Sequence, residues 1–378
     1  MRRHELAAEP VSRCPATVSG HWNSAQVGTV FWNRRRIGLV LILLVLFPWL
    51  PMPGRVPSSG PVRRQLVSRG DYLTRIAFAP DGRSLATADI QGRTVLHPLD
   101  EKGGSQHALC DRGHGRVLAF MPDGHFLLMA GDSAGIVRYD LSRRLTERLP
   151  GIDVTYTSDL KVAPDGQTLA IASFRSRDIV VWDMGSGRVR LTLQGHQSAV
   201  IRLAFSPDGR SLASAAACGR HIRIWDLDQR PRLRRQLPTP PALWLAYSPD
   251  GRLLASASGT ERIVRIWKVR PGAKAEANTG ADPGADGPVQ VIAGHRLPVR
   301  SLAFSPDGIL LATASGDGSA SLWSVATGRE RCQLETHASI LTDIAFSPDG
   351  RTLVAAANDA YIRFWDLSRL VPDQLGPE

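Results

Sequence analysis

The sequence predicts an all-β fold, a propeller of seven four-stranded antiparallel blades, preceded by an N-terminal transmembrane or signal-anchor helix. Two observations predict the propeller: a Pro-Asp-Gly motif recurs seven times, and short apolar runs separated by turn residues fill each repeat. An uncharged stretch near the start predicts the helix. The composition agrees, because 43% hydrophobic residues with 35 Gly and 26 Pro suit many short strands joined by turns.

The first predicted element is the apolar segment at residues 37–54. No charged residue lies between Arg36 and Arg55. The dense apolar core, Ile37–Phe47, is shorter than the roughly 20 residues of a transmembrane helix, but the preceding Arg cluster and following Pro residues resemble a signal sequence. We therefore expect an uncleaved single-pass anchor in the membrane. A cleaved signal, giving a secreted protein, is the alternative, and translation from Met52 would remove the segment and leave the propeller in the cytoplasm.

Arginine placement bears on the orientation of this anchor. Three Arg precede the segment at 34–36, and four follow within twenty residues, so the positive-inside rule is nearly balanced. The signal-like order favours an N-terminus inside and a propeller outside the cytoplasm. The predicted organisation is a basic tail at 1–36, the anchor at 37–54, a linker at 55–61, the propeller at 62–370 and a C-terminal tail at 371–378.

The repeat is defined by its Pro-Asp-Gly turn. Its Pro stands at positions 80, 122, 164, 207, 249, 306 and 348. The intervals are 42 or 43 residues except for one of 57, and such a fixed period indicates a repeat architecture. The long interval contains residues 270–288, whose Gly, Ala, Pro and Asp predict a flexible insert within one repeat.

Each repeat has the pattern of one β-blade. In "VIRLAFSPDGRSLASAAACGRHIRIWDL" (200–227), Pro207-Asp208-Gly209 separates the first two apolar runs and a polar turn separates the next pair. A fourth run leads to the following repeat, as in residues 188–196. Such a blade cannot bury both faces alone, but seven around an axis cover one another. We expect residues 61–68 to supply the outermost strand of the last blade, which closes the ring.

Two residue types recur in phase with this pattern. The third runs of five repeats contain a Trp, at positions 182, 225, 267, 323 and 365, and three of these are followed by Asp. His196, His295 and His337 stand nine residues before the aromatic residue that opens the Pro-Asp-Gly motif. Over residues 62–370 the chain resembles the WD-repeat β-propeller family.

The resemblance implies a buried hydrogen-bonded tetrad of His, Ser or Thr, Asp and Trp in each blade. The one complete set is His295, Thr313, Asp317 and Trp323. Other blades depart from it. The blade at 346–366 keeps His337, Asp359 and Trp365 but has Ala355 at the hydroxyl position, and Gly219 replaces the Asp of the blade at 205–226. His97 and Tyr139 take the Trp position in the first two blades. We interpret the tetrad as structural and not catalytic, since it repeats with the fold and its buried polar groups bond to one another.

Charge and motifs exclude several function classes. Of the net charge of +11, +8 lies in the first 75 residues, so the propeller lacks the basic footprint of a nucleic-acid-binding surface. His107, Cys110 and His114 have ligand-like spacing but no fourth ligand. The sequence therefore predicts no catalytic, cofactor or metal site. The leading hypothesis is a non-enzymatic, membrane-anchored scaffold for protein partners. A regulatory or sensor propeller and an extracytoplasmic propeller enzyme are the alternatives.

Candidate partner-binding residues lie three positions before each landmark aromatic residue. These positions share one register on the innermost strand, near the central channel. Trp244 is prominent because it falls outside the periodic Trp position and because Trp and Arg are enriched in binding hot spots. Arg75 and Arg202 occupy the same register. The alternative is that Trp244 fills a gap between blades and that both Arg side chains are solvated channel residues.

Overall fold

The computed structural model describes residues 64–68, 72–99, 106–110, 113, 115–132, 135–152, 154–228, 231–269, 287–336 and 340–369. The predicted tail, anchor and linker at 1–61, the insert up to residue 286 and the C-terminal tail at 371–378 lie outside these residues. Within the described ranges, no helix is both long and apolar enough to span a membrane.

The described strands form seven four-stranded antiparallel sheets, which confirms the predicted seven-bladed propeller. Blade 1 consists of β2 (Leu73–Phe78), β3 (Ser84–Asp89), β4 (Thr94–Pro98) and β5 (His107–Cys110). Blade 2 consists of β6 (Val117–Phe120), β7 (Phe126–Ala130), β8 (Ile136–Asp140) and β9 (Leu145–Arg148). Blade 3 consists of β10 (Thr157–Val162), β11 (Thr168–Ser173), β12 (Ile179–Asp183) and β13 (Arg188–Leu193).

The remaining blades repeat this order. Blade 4 consists of β14 (Val200–Phe205), β15 (Ser211–Ala216), β16 (His221–Asp226) and β17 (Arg232–Pro238). Blade 5 consists of β18 (Ala242–Tyr247), β19 (Leu253–Ser258), β20 (Ile263–Lys268) and β21 (Gln290–Ala293). Blade 6 consists of β22 (Val299–Phe304), β23 (Leu310–Ser315), β24 (Ser319–Ser324) and β25 (Glu330–Glu335). Blade 7 consists of β26 (Leu341–Phe346), β27 (Thr352–Ala357), β28 (Tyr361–Asp366) and the N-terminal β1 (Arg64–Val67), and a 3₁₀ turn, Leu367–Arg369, follows β28.

The Pro-Asp-Gly turns join the first and second strands of the blades. In blade 4, Asp208 accepts the backbone N–H of Arg210 at 3.0 Å, and Gly209 has a φ of 69°, a conformation that favours glycine. A side chain at Gly209 would lie 3.6 Å from Pro164 in the turn of blade 3. Neighbouring turns therefore pack together on one face of the ring, which explains why Pro and Gly recur with the blade period.

The ring closes through the N-terminal strand. β1 pairs antiparallel with β28, with Arg64 opposite Phe364 and Val67 opposite Tyr361. The predicted closing strand is thus present, and blade 7 combines both ends of the domain. The first strands of all seven blades contact their neighbours around the whole ring, including β2 against β26. They are therefore the innermost strands and surround a central channel.

The hydrophobic core consists of layers between adjacent blades. Trp225 of blade 4 packs in one buried cluster with Ile179 and Val181 of blade 3. Trp365 of blade 7 packs likewise with Leu322 of blade 6. Each of these Trp side chains covers the preceding blade, so the apolar faces that one blade leaves uncovered are buried by its neighbours.

Candidate functional site

A β-bulge precedes the predicted partner-binding register. In six of the seven innermost strands, the pairing with the second strand shifts between the first and third residues. A bulge re-aims the side chain that follows it. We call the residues at the predicted register the channel ring: Arg75, Val117, Asp159, Arg202, Trp244, Ser301 and Asp343.

The three candidate residues of the channel ring meet in the structure. The guanidinium carbon of Arg75 lies 4.6 Å from the centroid of the Trp244 ring, and that of Arg202 lies 4.5 Å from it. Arg202 and Trp244 belong to adjacent blades, but Arg75 is on blade 1, which is not adjacent to blade 5. Its contact with Trp244 is therefore made across the channel. We call these three half-buried residues the Arg–Trp cluster.

Trp244 also has a packing role. Its side chain packs against the buried cluster between blades 5 and 6, which contains Val299 and Leu302. The indole thus fills part of the space between blades and also presents its ring to two cations. Partner binding by Trp244 stays a prediction. A guanidinium stacked on an indole contributes about 0.5–2 kcal/mol, more where the pair is desolvated.

The two guanidinium groups use few of their donors. Arg75 donates from Nη1 to the Thr74 carbonyl at 2.8 Å, and Arg202 donates from Nη1 to the Ile201 carbonyl at 2.6 Å and to the Ser158 carbonyl at 3.5 Å. The Nε of Arg202 is buried and has no hydrogen-bond partner among the described residues. Burial lowers the pKa of Arg202 to about 9, and the charge of Arg75 acts in the same direction.

The acidic residues of the channel ring connect neighbouring blades. Asp159 accepts the Leu203 N–H of blade 4 at 2.8 Å. Asp343 accepts the Ile76 N–H of blade 1 at 2.9 Å and the Ser301 hydroxyl of blade 6 at 2.7 Å. Burial raises the pKa of Asp343, against the opposing effect of the Arg75 charge and these hydrogen bonds. The carboxylates satisfy backbone donors of the innermost strands that would otherwise be unpaired at the channel.

The predicted tetrad residues of blade 6 lie in one hydrogen-bonded chain. His295 Nε2 is 2.7 Å from Thr313 Oγ1, which also accepts the Trp323 Nε1–H at 2.8 Å. His295 Nδ1 is 3.4 Å from Asp317 Oδ2 and 3.2 Å from Ser319 Oγ. Burial alone would raise the pKa of Asp317, but hydrogen bonds from His295 and Ser319 hold it well below its usual range. Ser319 extends the set, and the sequence pattern did not identify it.

Two other blades keep parts of this arrangement. In blade 4, Ser214 Oγ lies 2.7 Å from His196 Nε2 and accepts the Trp225 Nε1–H at 2.7 Å. In blade 5, Ser256 accepts the Trp267 Nε1–H at 2.9 Å. The hydroxyl-to-Trp bond therefore forms with or without a histidine beside it.

Blade 7 lacks the hydroxyl. Ala355 occupies its position, and the buried Trp365 Nε1 has no hydrogen-bond partner among the described residues. Asp359, which the sequence assigned to the tetrad of this blade, is bound by the guanidinium of Arg363. The histidine assigned there, His337, lies outside the described residues. Arg363 is therefore a partner of Asp359 that sequence comparison between blades did not reveal.

The first two blades replace the Trp in different ways. His97 of blade 1 is 2.9 Å, through Nε2, from Thr87 Oγ1, and burial lowers its pKa to about 4. Tyr139 of blade 2 is buried in the cluster between blades 1 and 2.

Within the described ranges, no group of three or more His, Cys, Asp and Glu side chains could hold a metal ion.

Comparison with known proteins supports the same architecture. The family model "WD domain, G-beta repeat" matches residues 187–226, 240–268, 286–324 and 328–366. The first match begins near the start of β13, the outermost strand of blade 3, and ends with β16 of blade 4. A sequence repeat therefore straddles two blades, which explains why the last blade is completed by a strand from the N-terminus.

Three relatives are similar over short stretches. Periodic tryptophan protein 2 homolog from Dictyostelium discoideum is 30% identical over 35% of this chain and 15% of its own length. WD repeat-containing protein SL1-17 from Schistosoma mansoni is 54% identical over 11% of this chain and 14% of its own length. An uncharacterised WD repeat-containing protein of Synechocystis is 28% identical over 35% of this chain and 38% of its own length. This chain thus matches well under two thirds of each relative, and what is shared is the repeat. The seven four-stranded blades and the four matched repeats make this chain similar to the WD-repeat family in both architecture and sequence.

Proposed function

We propose that this protein is a non-enzymatic scaffold that binds a protein partner at the channel ring. The observation that carries the proposal is the Arg–Trp cluster. Arg75, Arg202 and Trp244 differ from the residues that other blades place in the same register, and they converge although they come from three blades. The blade repeat explains the tetrads and turns, but it does not explain this cluster.

The chemistry of the cluster suits a protein partner. Trp and Arg are the residues that most often dominate protein–protein interfaces, particularly where they are partly desolvated near the centre of the contact. The innermost strands hold these side chains on a rigid ring, so little ordering is required when a partner binds. The His, Ser, Thr and Asp groups of blades 4 and 6 bond to one another inside the blades, which supports a structural and not a catalytic role.

Quantitative affinity capture tests this function. The full chain, solubilised in a non-ionic detergent, is compared with two variants, Trp244→Ala and the control Ile309→Ala. Ile309 is an exposed apolar residue directly after the Pro-Asp-Gly turn of blade 6. Circular dichroism establishes that each variant is folded. We expect Trp244→Ala to lose specific partners that wild type and Ile309→Ala retain. Equal recovery of every partner by folded Trp244→Ala and wild type would contradict the proposal.

We further propose that residues 37–54 attach the scaffold to a membrane with the propeller outside the cytoplasm. The uncharged apolar stretch and the Arg residues before it support this location. Protease treatment of sealed spheroplasts or microsomes tests it. We expect added protease to degrade the propeller only when the protease acts on the non-cytoplasmic side of the membrane. A propeller that fractionates with soluble protein would contradict the proposal.

A further inference from the structure

We infer that the Arg–Trp cluster binds a carboxylate group of the partner, an Asp or Glu side chain that enters the central channel and accepts hydrogen bonds from Arg75 and Arg202. The inference rests on the proposed scaffold function and specifies what the scaffold recognises. It follows from three features of the described residues: the unused donors of both guanidinium groups, the engaged acceptors of the channel ring, and the charge balance.

The first feature is the supply of donors. A guanidinium group carries five N–H donors in a planar fork. The hydrogen bonds of Arg75 and Arg202 all come from Nη1, so most of the donors of both groups are unused by described residues. The Arg202 Nε–H is buried and has no partner in the described ranges, which is a costly arrangement for a polar group. An acceptor brought by a ligand would relieve this cost.

The second feature is the lack of available acceptors on the channel ring. Both oxygens of Asp159 accept backbone N–H groups, from Leu160 and Leu203. Asp343 accepts backbone and hydroxyl donors at both of its oxygens. These carboxylates attract the guanidinium groups through space, but among the described residues neither carboxylate accepts a hydrogen bond from Arg75 or Arg202. The channel ring therefore leaves these donors without an acceptor among the described residues, and the ligand carboxylate supplies one.

The third feature is geometry and charge. Both guanidinium carbons lie within 4.6 Å of one ring centroid, so they cannot be farther apart than twice that distance, a span within reach of the two oxygens of one carboxylate group. The indole holds both cations in place before the ligand arrives. Lys161 Nζ lies 3.7 Å from Asp159, so three cations stand near the two carboxylates Asp159 and Asp343. A singly charged carboxylate balances the remaining positive charge, whereas a doubly charged phosphate would exceed it.

A paired peptide array tests the inference. Each immobilised peptide, uncharged elsewhere, is made in three forms that differ only in a central Glu, Gln or phosphoserine, and the full chain in non-ionic detergent is the soluble probe. Hydrogen bonds to charged groups predict that the best Glu forms bind about ten- to a hundredfold more tightly than their Gln partners. Arg75→Gln and Arg202→Gln should each abolish most of this preference.

The matched control is Arg138→Gln. Arg138 also stacks on an aromatic ring, with its guanidinium carbon 4.6 Å from the Phe126 centroid, but it lies on the third strand of blade 2 and not on an innermost strand. The Glu preference should survive this change. If Arg202→Gln does not fold, Arg75→Gln alone decides the question.

The outcomes separate this inference from the scaffold function. Equal binding of Glu and Gln forms, tighter binding of phosphoserine forms, or an unchanged Glu preference in folded Arg75→Gln would overturn the carboxylate assignment. If Trp244→Ala nevertheless loses its partners in the capture experiment, the scaffold function stands without it. A Glu preference that depends on Arg75 and survives Arg138→Gln supports both.

Discussion

The unpaired indole of blade 7 allows a stabilising substitution to be predicted from the other blades. Trp365 Nε1 is buried and has no hydrogen-bond partner in the described part of the chain, where Ala355 stands at the position that carries a hydroxyl in blades 4, 5 and 6. In those blades the hydroxyl oxygen lies 2.7, 2.9 and 2.8 Å from the Trp Nε1. Ala355→Ser puts an oxygen in the equivalent position of the same strand register, so we expect it to stabilise the propeller.

The expected gain is modest. A buried donor without a partner costs about 1–3 kcal/mol, and a hydrogen bond contributes about 1 kcal/mol net. Part of this gain is offset because the new hydroxyl must itself be desolvated. Blade 5 shows that a Ser can accept from Trp without a neighbouring histidine. We therefore expect Ala355→Ser to raise the free energy of unfolding by about 1 kcal/mol, or the melting temperature by roughly 2 °C.

Thermal unfolding followed by circular dichroism measures this gain, and the neighbouring residue supplies the control. Ala356 is equally buried but packs in the cluster between blades 7 and 1, on the other face of β27. Ala356→Ser buries a hydroxyl away from Trp365 and should be destabilising. In a Trp365→Phe background the benefit of Ala355→Ser should disappear. The reasoning is wrong if Ala355→Ser lowers stability as much as Ala356→Ser, or if its benefit persists without the indole N–H.

Three further predictions concern the buried histidines, the bond between blades 7 and 1, and the closing strand. Burial lowers the pKa of His97 and His196 to about 4, below the ordinary value of about 6.5, so the unfolded chain binds protons first as the pH falls. Each histidine should therefore lower the free energy of unfolding by about 2 kcal/mol between pH 7 and pH 5. Urea unfolding at both pH values should show a smaller loss for His97→Gln. Asp343→Asn should lower the free energy of unfolding by about 1–3 kcal/mol, since an amide NH₂ replaces one oxygen that accepts a hydrogen bond, whereas Ser301→Ala should cost less. Deleting residues 64–67 should lower the melting temperature and accelerate hydrogen exchange along β28 relative to β16, and unchanged exchange would argue against closure by this strand.

Much of the fold was predictable because its elements repeat. Pro-Asp-Gly at a period of about 42 residues marks the first hairpin of each blade, and turn chemistry alone makes this motif informative. The closing strand was predictable because residues 61–68 form a strand-like run ahead of the first repeat. Alignment of the blades also places Ala355 at the hydroxyl position of blade 7, where the structure shows no partner for the Trp365 indole among the residues it describes.

The contacts that the sequence did not predict are those without a fixed spacing. Arg75 and Trp244 are separated by 169 positions and by two intervening blades, so their contact depends on the width of the channel. Arg363 binds Asp359 in blade 7, whereas the equivalent strand position in blade 6 is occupied by Ser321. This difference between blades does not by itself indicate that Arg363 and Asp359 are in contact. Alignment of repeats identifies what blades share, but it cannot identify a pair formed by residues that differ between blades.

Some residues of the channel ring form hydrogen bonds to a neighbouring blade, and others leave most of their hydrogen-bonding groups unused. Asp159, Ser301 and Asp343 bond to the next blade around the ring. At the junction of blades 4 and 5, the ring position instead carries Arg202, which has no acceptor to offer and stacks on Trp244. A partner that neutralises this cation would therefore strengthen the junction as well as bind to it. Recognition and the stability of the ring are coupled at this position, whereas at the junctions of blades 3 and 4, 6 and 7, and 7 and 1 a residue of the ring itself supplies the hydrogen bond.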